Sequence, residues 1–499
     1  MNISGKGSTI RRWLSTRELW LFLLLFFSYA YFFPRWADWN QNSRINLTLA
    51  LIDQGSIAID DYYHNTGDYA VFNGRIYTDK APGLSFIGAI PYALYRAIMS
   101  LSWSELLLQR ASHNAALNAT LNPEGSGLLA DKLYFAGALY FVTVLTISLP
   151  SALLGVALYR FLRRLLGDGI LTVALVIAYG LGTVAFTYSS VFYGHQVGAV
   201  LLFICFYLLF RIRREELSDV YLWLVGVLVG LMVLVEFTSA IAAAFLGLYA
   251  LFILRNKMAI YRIILGGLPF ALILGWYNAS AFGSPFASSY RYLGNFPEIS
   301  NTGVLGFAGP RWDAFWGITF SPYRGLFFFS PFLLLALPGF WRLAGRHWPA
   351  YQAEFWLILS IVAGQFFLVS SWYDWRGGFA IGPRNLLLIL PLLMVPVAIG
   401  AAWLAKRRAG AILVWGLLAV SVMIMSVASV SGQEFPPITV AHPLFEFLWP
   451  RFLAGDIARN LGMVLRLPAW YSLIPWLVIV GGAFLWMQFA QPSRSQSRV

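Results

Sequence analysis

Cysteine and charge are both scarce in this chain. The one cysteine, Cys205, lies inside an apolar run. No internal disulfide can form, and no cysteine-based metal site is expected. Charged residues are 11% of the 499, against 59% hydrophobic, whereas soluble proteins carry about 25% charged residues. Internal repeats and low-complexity tracts are missing too, which weakens the duplicated-halves signature of many transporters. No polar stretch at either end is long enough for a separate soluble domain. The apolar runs show no alternation of the kind a barrel strand needs.

What remains is a series of apolar runs of about twenty residues, each long enough to cross a ~30 Å hydrocarbon layer as a helix. With a β-barrel set aside, the fold class is an all-α polytopic membrane protein. The formal charge of +13 is not a nucleic-acid signal. Its cations follow apolar runs in short clusters: Arg160/Arg163/Arg164, Arg211/Arg213/Arg214, Arg255/Lys257/Arg262, Arg342/Arg346 and Lys406/Arg407/Arg408. That is the positive-inside pattern, a mark of topology.

With the N-terminus inside, spans fall near 19–36, 133–159, 169–189, 196–210, 220–235, 237–254, 263–281, 326–341, 353–372, 384–404, 410–430 and 470–489. That gives about twelve spans (11–13), with both termini cytoplasmic. The first run follows Arg11, Arg12 and Arg17 and lacks a small-residue cleavage site, so it is expected to be a retained signal-anchor. Residues 83–101 are apolar enough to cross, yet a crossing would put Arg160, Arg163 and Arg164 outside. Pro82, Pro91 and Arg96 suit a non-crossing, interfacial or re-entrant helix. The whole chain, 1–499, then forms a single membrane domain. Its outer loops are 38–132, which carries the 83–101 helix, together with 282–325 and 431–469.

The first outer loop concentrates the polar chemistry. Asp38 follows the first helix between Trp36 and Trp39, where it can serve as a base at the mouth of a membrane-level cavity or as a plain solvated helix end. Arg44 comes about two turns later, on a segment whose alternation of apolar and polar residues suggests an amphipathic stretch on the outer surface. Asp60, Asp61 and His64, beside Tyr62, could hold a divalent cation, although their spacing fixes no geometry. In Asp79-Lys80-Ala81-Pro82-Gly83 an acid and a lysine meet just before a helix start, and such a lysine can face a phosphate. His195 and Gln196 lie on a later outer turn, Tyr188 to Gln196. Arg376 and Arg384 flank Gly377, Gly378 and Gly382, and two guanidiniums on a glycine-rich turn suit bidentate phosphate recognition. Arg311 and Arg324 are further candidates on the 282–325 loop.

The order of these features resembles the GT-C superfamily of membrane glycosyltransferases. The resemblance is closest to the bacterial branch of protein O-mannosyltransferases and lipid A aminoarabinose transferases. In that branch a helix leads into a long outer loop opening with an Asp. A Glu-Lys-Pro-Pro motif, a non-crossing helix and a span ending in arginines follow. Here the matching features are Asp38, Asp79-Lys80-Ala81-Pro82, residues 83–101, and 133–159 with Arg160/Arg163/Arg164. The match covers about the first 210 residues and is architectural beyond them. Trp39 stands where the family has the second acid of an Asp-Glu pair, Ala81 replaces a proline, and His195-Gln196 stand near a usual Arg and Asp. The identity of the base is therefore open among Asp38, Asp61 and Asp79.

The resemblance implies an inverting transfer of a sugar from a polyprenyl-phosphate donor to a lipid, glycan or protein acceptor. It places the reaction at the outer face of a bacterial cytoplasmic membrane. Asp38 would be base or acceptor-orienting carboxylate. Lys80, Arg376, Arg384 and Arg44 would hold the donor phosphate, and His195, Gln196, Tyr62 and Arg311 would line the substrate site. Membrane lipids are the other expected partners, and nucleic acid is not one. A divalent cation remains the one candidate cofactor. A polytopic transporter or flippase of a lipid-linked or anionic substrate is the competing reading, favoured by any ionisable residue deep among the spans, with Glu236 and Glu354 the candidates.

Overall fold

The structure is a computed structural model and describes residues 17–35, 38–120, 130–345 and 348–489. Arg11, Arg12, Trp36 and Arg346 lie outside the described residues.

Helices account for most of the described chain. Seven are long and apolar enough to cross a membrane: Lys132–Leu166, Gly194–Arg213, Lys257–Phe282, Pro349–Ser371, Arg384–Leu404, Arg408–Val430 and Ala469–Met487. Four apolar helices are shorter: Ile170–Leu181, Asp219–Val235, Phe237–Ile253 and Pro331–Ala344. Arg17–Tyr31 precedes them all. The protein is thus all-α and polytopic in character, and Arg384–Leu404 is its most deeply enclosed apolar helix. Lys132–Leu166 departs from a regular α-helix at Val144–Ser148, where a π-helical turn is inserted.

Close helix contacts are made through glycine, as expected where no water drives helices together and backbones must approach to gain dispersion contact. A methyl group on Gly226 would fall 2.3 Å from the Ile263 carbonyl oxygen, and one on Gly230 would fall 2.9 Å from Gly267. These glycines seat helix Tyr261–Phe282 on Leu222–Val235. Gly83 and Gly194 make comparable approaches to the backbone at Leu234 and Val235, which draws two helix starts toward Glu236.

Arg17 and the clusters at Arg160–Arg164, Arg211–Arg214 and Arg255 share one end of the bundle, held together by ion pairs. Arg17 meets Asp168 at 2.7 Å, Arg160 meets Glu18 at 2.6 Å, and Arg164 meets Glu216 at 2.5 Å. Arg255 pairs with Glu215, and Arg213 with the buried Glu354. Helix Gly194–Arg213 starts beside Asp38 and ends in this cluster. Its 20 residues rise roughly 30 Å, the thickness of a hydrocarbon core.

Two expectations change. The stretch after Asp38 is not a surface segment but a helix, Trp39–Asp53, buried from Asn40 to Ala50. Several of its buried polar residues have partners. Asn46 bonds to the Tyr62 carbonyl and to Asn65, Ser43 to Thr78, and Thr48 to the Ser85 carbonyl. The loop 38–132 also contains strands, Tyr69–Phe72 and Arg75–Thr78, paired antiparallel with Tyr69 opposite Thr78. Asn73 and Gly74 both adopt positive φ, at 50° and 76°, as a two-residue type I′ turn requires.

Helix Gly83–Met99 contains Pro91 and meets Trp103–Ser112 at a 97° bend. Such a bend belongs to a broken span or a re-entrant segment. The helix is tied to Trp39–Asp53 by Asp53, which accepts from Tyr92 at 2.8 Å and pairs with Arg96 at 3.1 Å.

Candidate functional site

At the end of the bundle opposite the arginine clusters, charged groups from five parts of the chain meet beneath the protein surface. Asp38 is the N-cap of helix Trp39–Asp53. Its Oδ1 accepts from the Gln41 backbone N–H at 3.1 Å, satisfying one of the donors that a helix start leaves free. Its Oδ2 accepts from the Tyr193 hydroxyl at 2.6 Å. Only 6% of Asp38 is exposed, so it is not a solvated helix end. Burial pushes its carboxyl above the ordinary range, although the Tyr193 hydroxyl and the nearby Arg384 charge pull the other way.

Tyr193 in turn accepts from Arg384 Nη1 at 3.0 Å, and the guanidinium carbon lies 5.0 Å from its ring centre. Among the described residues no carboxylate reaches salt-bridge distance of Arg384, and its buried Nε has no hydrogen-bond partner. A buried cation that no carboxylate contacts is costly, and Asp38 and Asp68 act on it only across a distance. The turn above it is tight. Gly377 and Gly378 have φ of 70° and 63°, and a methyl group on Gly377 would sit 3.0 Å from Arg384 Nε. Arg324, fully buried, donates to the carbonyls of Arg376 and Gly378 at 3.2 and 3.0 Å. It is therefore a clamp on this turn. Arg376 itself projects toward solvent, 3.9 Å from Asp374.

Lys80 arrives already paired. Its ammonium lies 2.8 Å from both Asp68 and Asp79. Burial pulls its pKa down, but the two carboxylates outweigh that and leave it raised. Asp79 is buried too. Desolvation raises its carboxyl against the opposing pull of Lys80, and Ser43 Oγ donates to it at 3.3 Å. The hairpin positions this group, since strand Arg75–Thr78 runs directly into Asp79.

Arg44 and His195 meet at Glu236. The Glu236 carboxylate lies 3.0 Å from His195 Nδ1 and 3.7 Å from Arg44 Nη2. Arg44 also reaches the Ala81 carbonyl at 3.5 Å, which ties Glu236 to the Lys80 loop. Glu354, the other acid within the apolar runs, is at the arginine-rich end with Arg213 and Tyr249.

The structure therefore brings Asp38, Arg44, Asp79, Lys80, His195 and Arg384 into one cluster, with Arg376 at its rim. It does not bring in the rest. Asp61 is exposed and accepts from Gln54 at 2.7 Å. Tyr62 braces Asp53, and Arg311 is exposed and paired with Asp313 at 2.6 Å. Gln196 is fully buried, with its amide toward the Tyr179 phenol. Asp60 is engaged by Arg75 and by the Ile76 backbone N–H, while His64 stacks on Tyr63. Among the described residues no three His, Cys, Asp or Glu side chains gather as metal ligands would, so Asp60, Asp61 and His64 form no such group.

Sequence reasoning missed Tyr193, Asp68 and Glu236 as members of the cluster. The available signal was Glu236 itself, an acid at the only break between the apolar runs Leu222–Val235 and Ala240–Ile253.

Chemically, the cluster offers a buried carboxylate joined through a phenol to a guanidinium that no carboxylate contacts directly among the described residues, and a histidine facing a carboxylate. Such a site can hold an anion beside groups that take or orient a proton. Compared with known proteins, the chain matches no family model, no curated protein and no solved structure.

Proposed function

We propose that this protein is an inverting glycosyltransferase that uses a polyprenyl-phosphate-linked sugar at the outer face of a bacterial cytoplasmic membrane. The observation that carries the reading is Arg384, a buried guanidinium with no carboxylate partner among the described residues, one phenol away from Asp38. A cation in that state suits a ligand that brings its own negative charge. Its position at the start of an apolar helix long enough to cross a membrane suits a ligand whose phosphate is attached to a hydrocarbon tail. The proposed architecture is GT-C-like with about twelve crossings, reached when the four shorter apolar helices and Arg17–Tyr31 are counted with the seven long ones.

In the proposed reaction an acceptor hydroxyl oxygen attacks the anomeric carbon. The bond from that carbon to the phosphate oxygen breaks, and the prenyl phosphate leaves with the electron pair. Arg384, with Arg376 at the rim, stabilises the departing phosphate. Asp38 orients the acceptor hydroxyl or takes its proton. Lys80 is balanced by two acids, so its role here is to fix Asp79 and Asp68 rather than to supply free positive charge.

Native mass spectrometry of the purified chain with a panel of prenyl-phosphate sugars and the bare prenyl phosphate tests this. Selective retention of one donor, lost in Arg384→Ala, is the expected result. No retention across the panel by folded protein would overturn the reading. Movement of a bound lipid across vesicles without any glycosylated product would favour a flippase instead.

A further inference from the structure

Asp38 and His195 are held in opposite ways. Both oxygens of Asp38 are engaged, Oδ1 by a backbone N–H that starts a helix and Oδ2 by the Tyr193 hydroxyl. Taking a proton on either oxygen would weaken a bond that positions the helix or the Tyr193–Arg384 link. His195 carries no such burden. Its Nδ1 faces the Glu236 carboxylate at 3.0 Å, and among the described residues nothing in the protein bonds its Nε2. Its ring lies 6.2 Å from that of Tyr193 in an edge-to-face arrangement, beside the Asp38–Tyr193–Arg384 chain.

An imidazole with one nitrogen backed by a carboxylate and the other unengaged is organised to accept a proton. The carboxylate holds the ring and stabilises the imidazolium that forms. Resting on the transferase reading, we propose that His195 is the general base, that Glu236 positions it, and that Asp38 orients the acceptor. The acceptor O–H proton passes to His195 Nε2 as the oxygen bonds to the anomeric carbon. The prenyl phosphate departs with the electron pair of the broken bond, and the imidazolium later returns its proton to water. The charged and polar groups facing His195 are Glu236 from the break between two apolar helices, Arg44 from helix Trp39–Asp53, Arg384 from the enclosed helix, and Tyr193 from the preceding turn. The two cations and the acid act in opposite directions, so replacing Glu236 leaves the cations to act alone.

The test uses the full chain in lipid nanodiscs and whichever prenyl-phosphate hexose or pentose it binds, with water as acceptor and free sugar as product. Turnover is measured against pH for wild type, His195→Gln, Glu236→Gln and Glu236→Asp, with donor binding measured on each. His195→Gln should lose about 100-fold or more in kcat while donor affinity stays within about threefold. Wild-type turnover should rise with pH as the imidazole loses its proton. In Glu236→Gln that rise should move to lower pH, because the imidazolium has lost its carboxylate, and Glu236→Asp should restore it toward wild type. Imidazole added to His195→Ala should recover part of the lost rate.

Turnover of His195→Gln within about threefold of wild type, or an unmoved pH rise in Glu236→Gln, overturns the proposal and leaves the transferase reading standing. If His195→Gln does not fold, Glu236→Gln decides alone. A wild-type protein that binds donor yet transfers its sugar neither to water nor to any lipid, glycan or protein acceptor supplied removes both readings together.

Discussion

At the arginine-rich end of the bundle, guanidiniums meet carboxylates: Arg17 with Asp168, Arg160 with Glu18, Arg164 with Glu216, Arg255 with Glu215 and Arg213 with Glu354. At the other end, Arg384 is more buried than any of these arginines and meets only a phenol. Both are arginines beside apolar helices, and residue counts do not tell them apart. The paired set fastens helices to one another and is complete without a ligand. Arg384 is enclosed by the fold and, among the described residues, has no carboxylate in contact. Buried charge that no carboxylate contacts is costly, and the proposed donor phosphate would supply that contact.

That contrast can be broken by exchanging the two behaviours. The largest effect is expected from Arg384→Ala, which should weaken prenyl-phosphate binding roughly 100-fold, the scale of a lost buried charge-assisted contact. Its melting temperature should hold or rise. Destabilisation with unchanged lipid affinity would put Arg384 on the structural side. Tyr193→Phe keeps the ring and removes the hydroxyl between Arg384 and Asp38. It should cost about tenfold in turnover, the scale of one hydrogen bond to a charged group, and a turnover equal to wild type would show that the chain through the phenol is idle.

Arg213→Ala should do the reverse, lowering stability by about 1–3 kcal/mol because Glu354 and its Tyr249 contact remain buried without the cation. Donor binding per folded molecule should not change, as ligand titration of the surviving protein can show. The smallest effect belongs to Arg160→Gln. That half-exposed pair is expected to contribute less than about 1 kcal/mol, below easy detection in a thermal melt.

Asp38 sharpens the comparison through pH. Its carboxyl pKa is raised in the fold, chiefly by burial, so the folded protein binds that proton more readily than the unfolded chain does. The carboxyl therefore favours folding least once ionised, and its contribution falls as pH rises from the unfolded value through the folded one. Asp38→Asn, which can still cap the helix, should lose turnover yet melt at or above wild type at pH 7. The gap should close as the pH falls and wild-type Asp38 becomes protonated. A variant less stable than wild type at neutral pH would contradict this.

The parts of this protein that were legible in the sequence are those where charge interrupts hydrocarbon. The helical class follows from run length, and the shared end of the arginine clusters from the positive-inside pattern. Asp38, Lys80, His195 and Arg384 stood out as polar groups at helix mouths. What stayed hidden depends on pairing across long separations. Nothing near Lys80 says that Asp68 as well as Asp79 will hold it, and nothing near His195 points to Glu236. The buried helix Trp39–Asp53 was misread because its polar side chains look like a solvent face until Asn65, Thr78 and Ser85 supply their partners. The hairpin was readable locally from Asn73-Gly74 and its flanking residues, and was obscured by the strength of the helical signal elsewhere.

Helix Tyr261–Phe282 meets the rest of the protein mainly along its glycine seam with Leu222–Val235, and the apolar stretch it belongs to, Lys257–Phe282, is the least enclosed of the long spans. That stretch of 26 residues is roughly 39 Å long, more than a ~30 Å hydrocarbon core needs, so a thinner bilayer must be met by tilt. At its C-terminal end Phe282 packs against Tyr77 and Phe72 of the hairpin at 5.4 and 6.2 Å. The helix and the strand that leads into Asp79 and Lys80 are therefore in direct contact, so a displacement of one reaches the other.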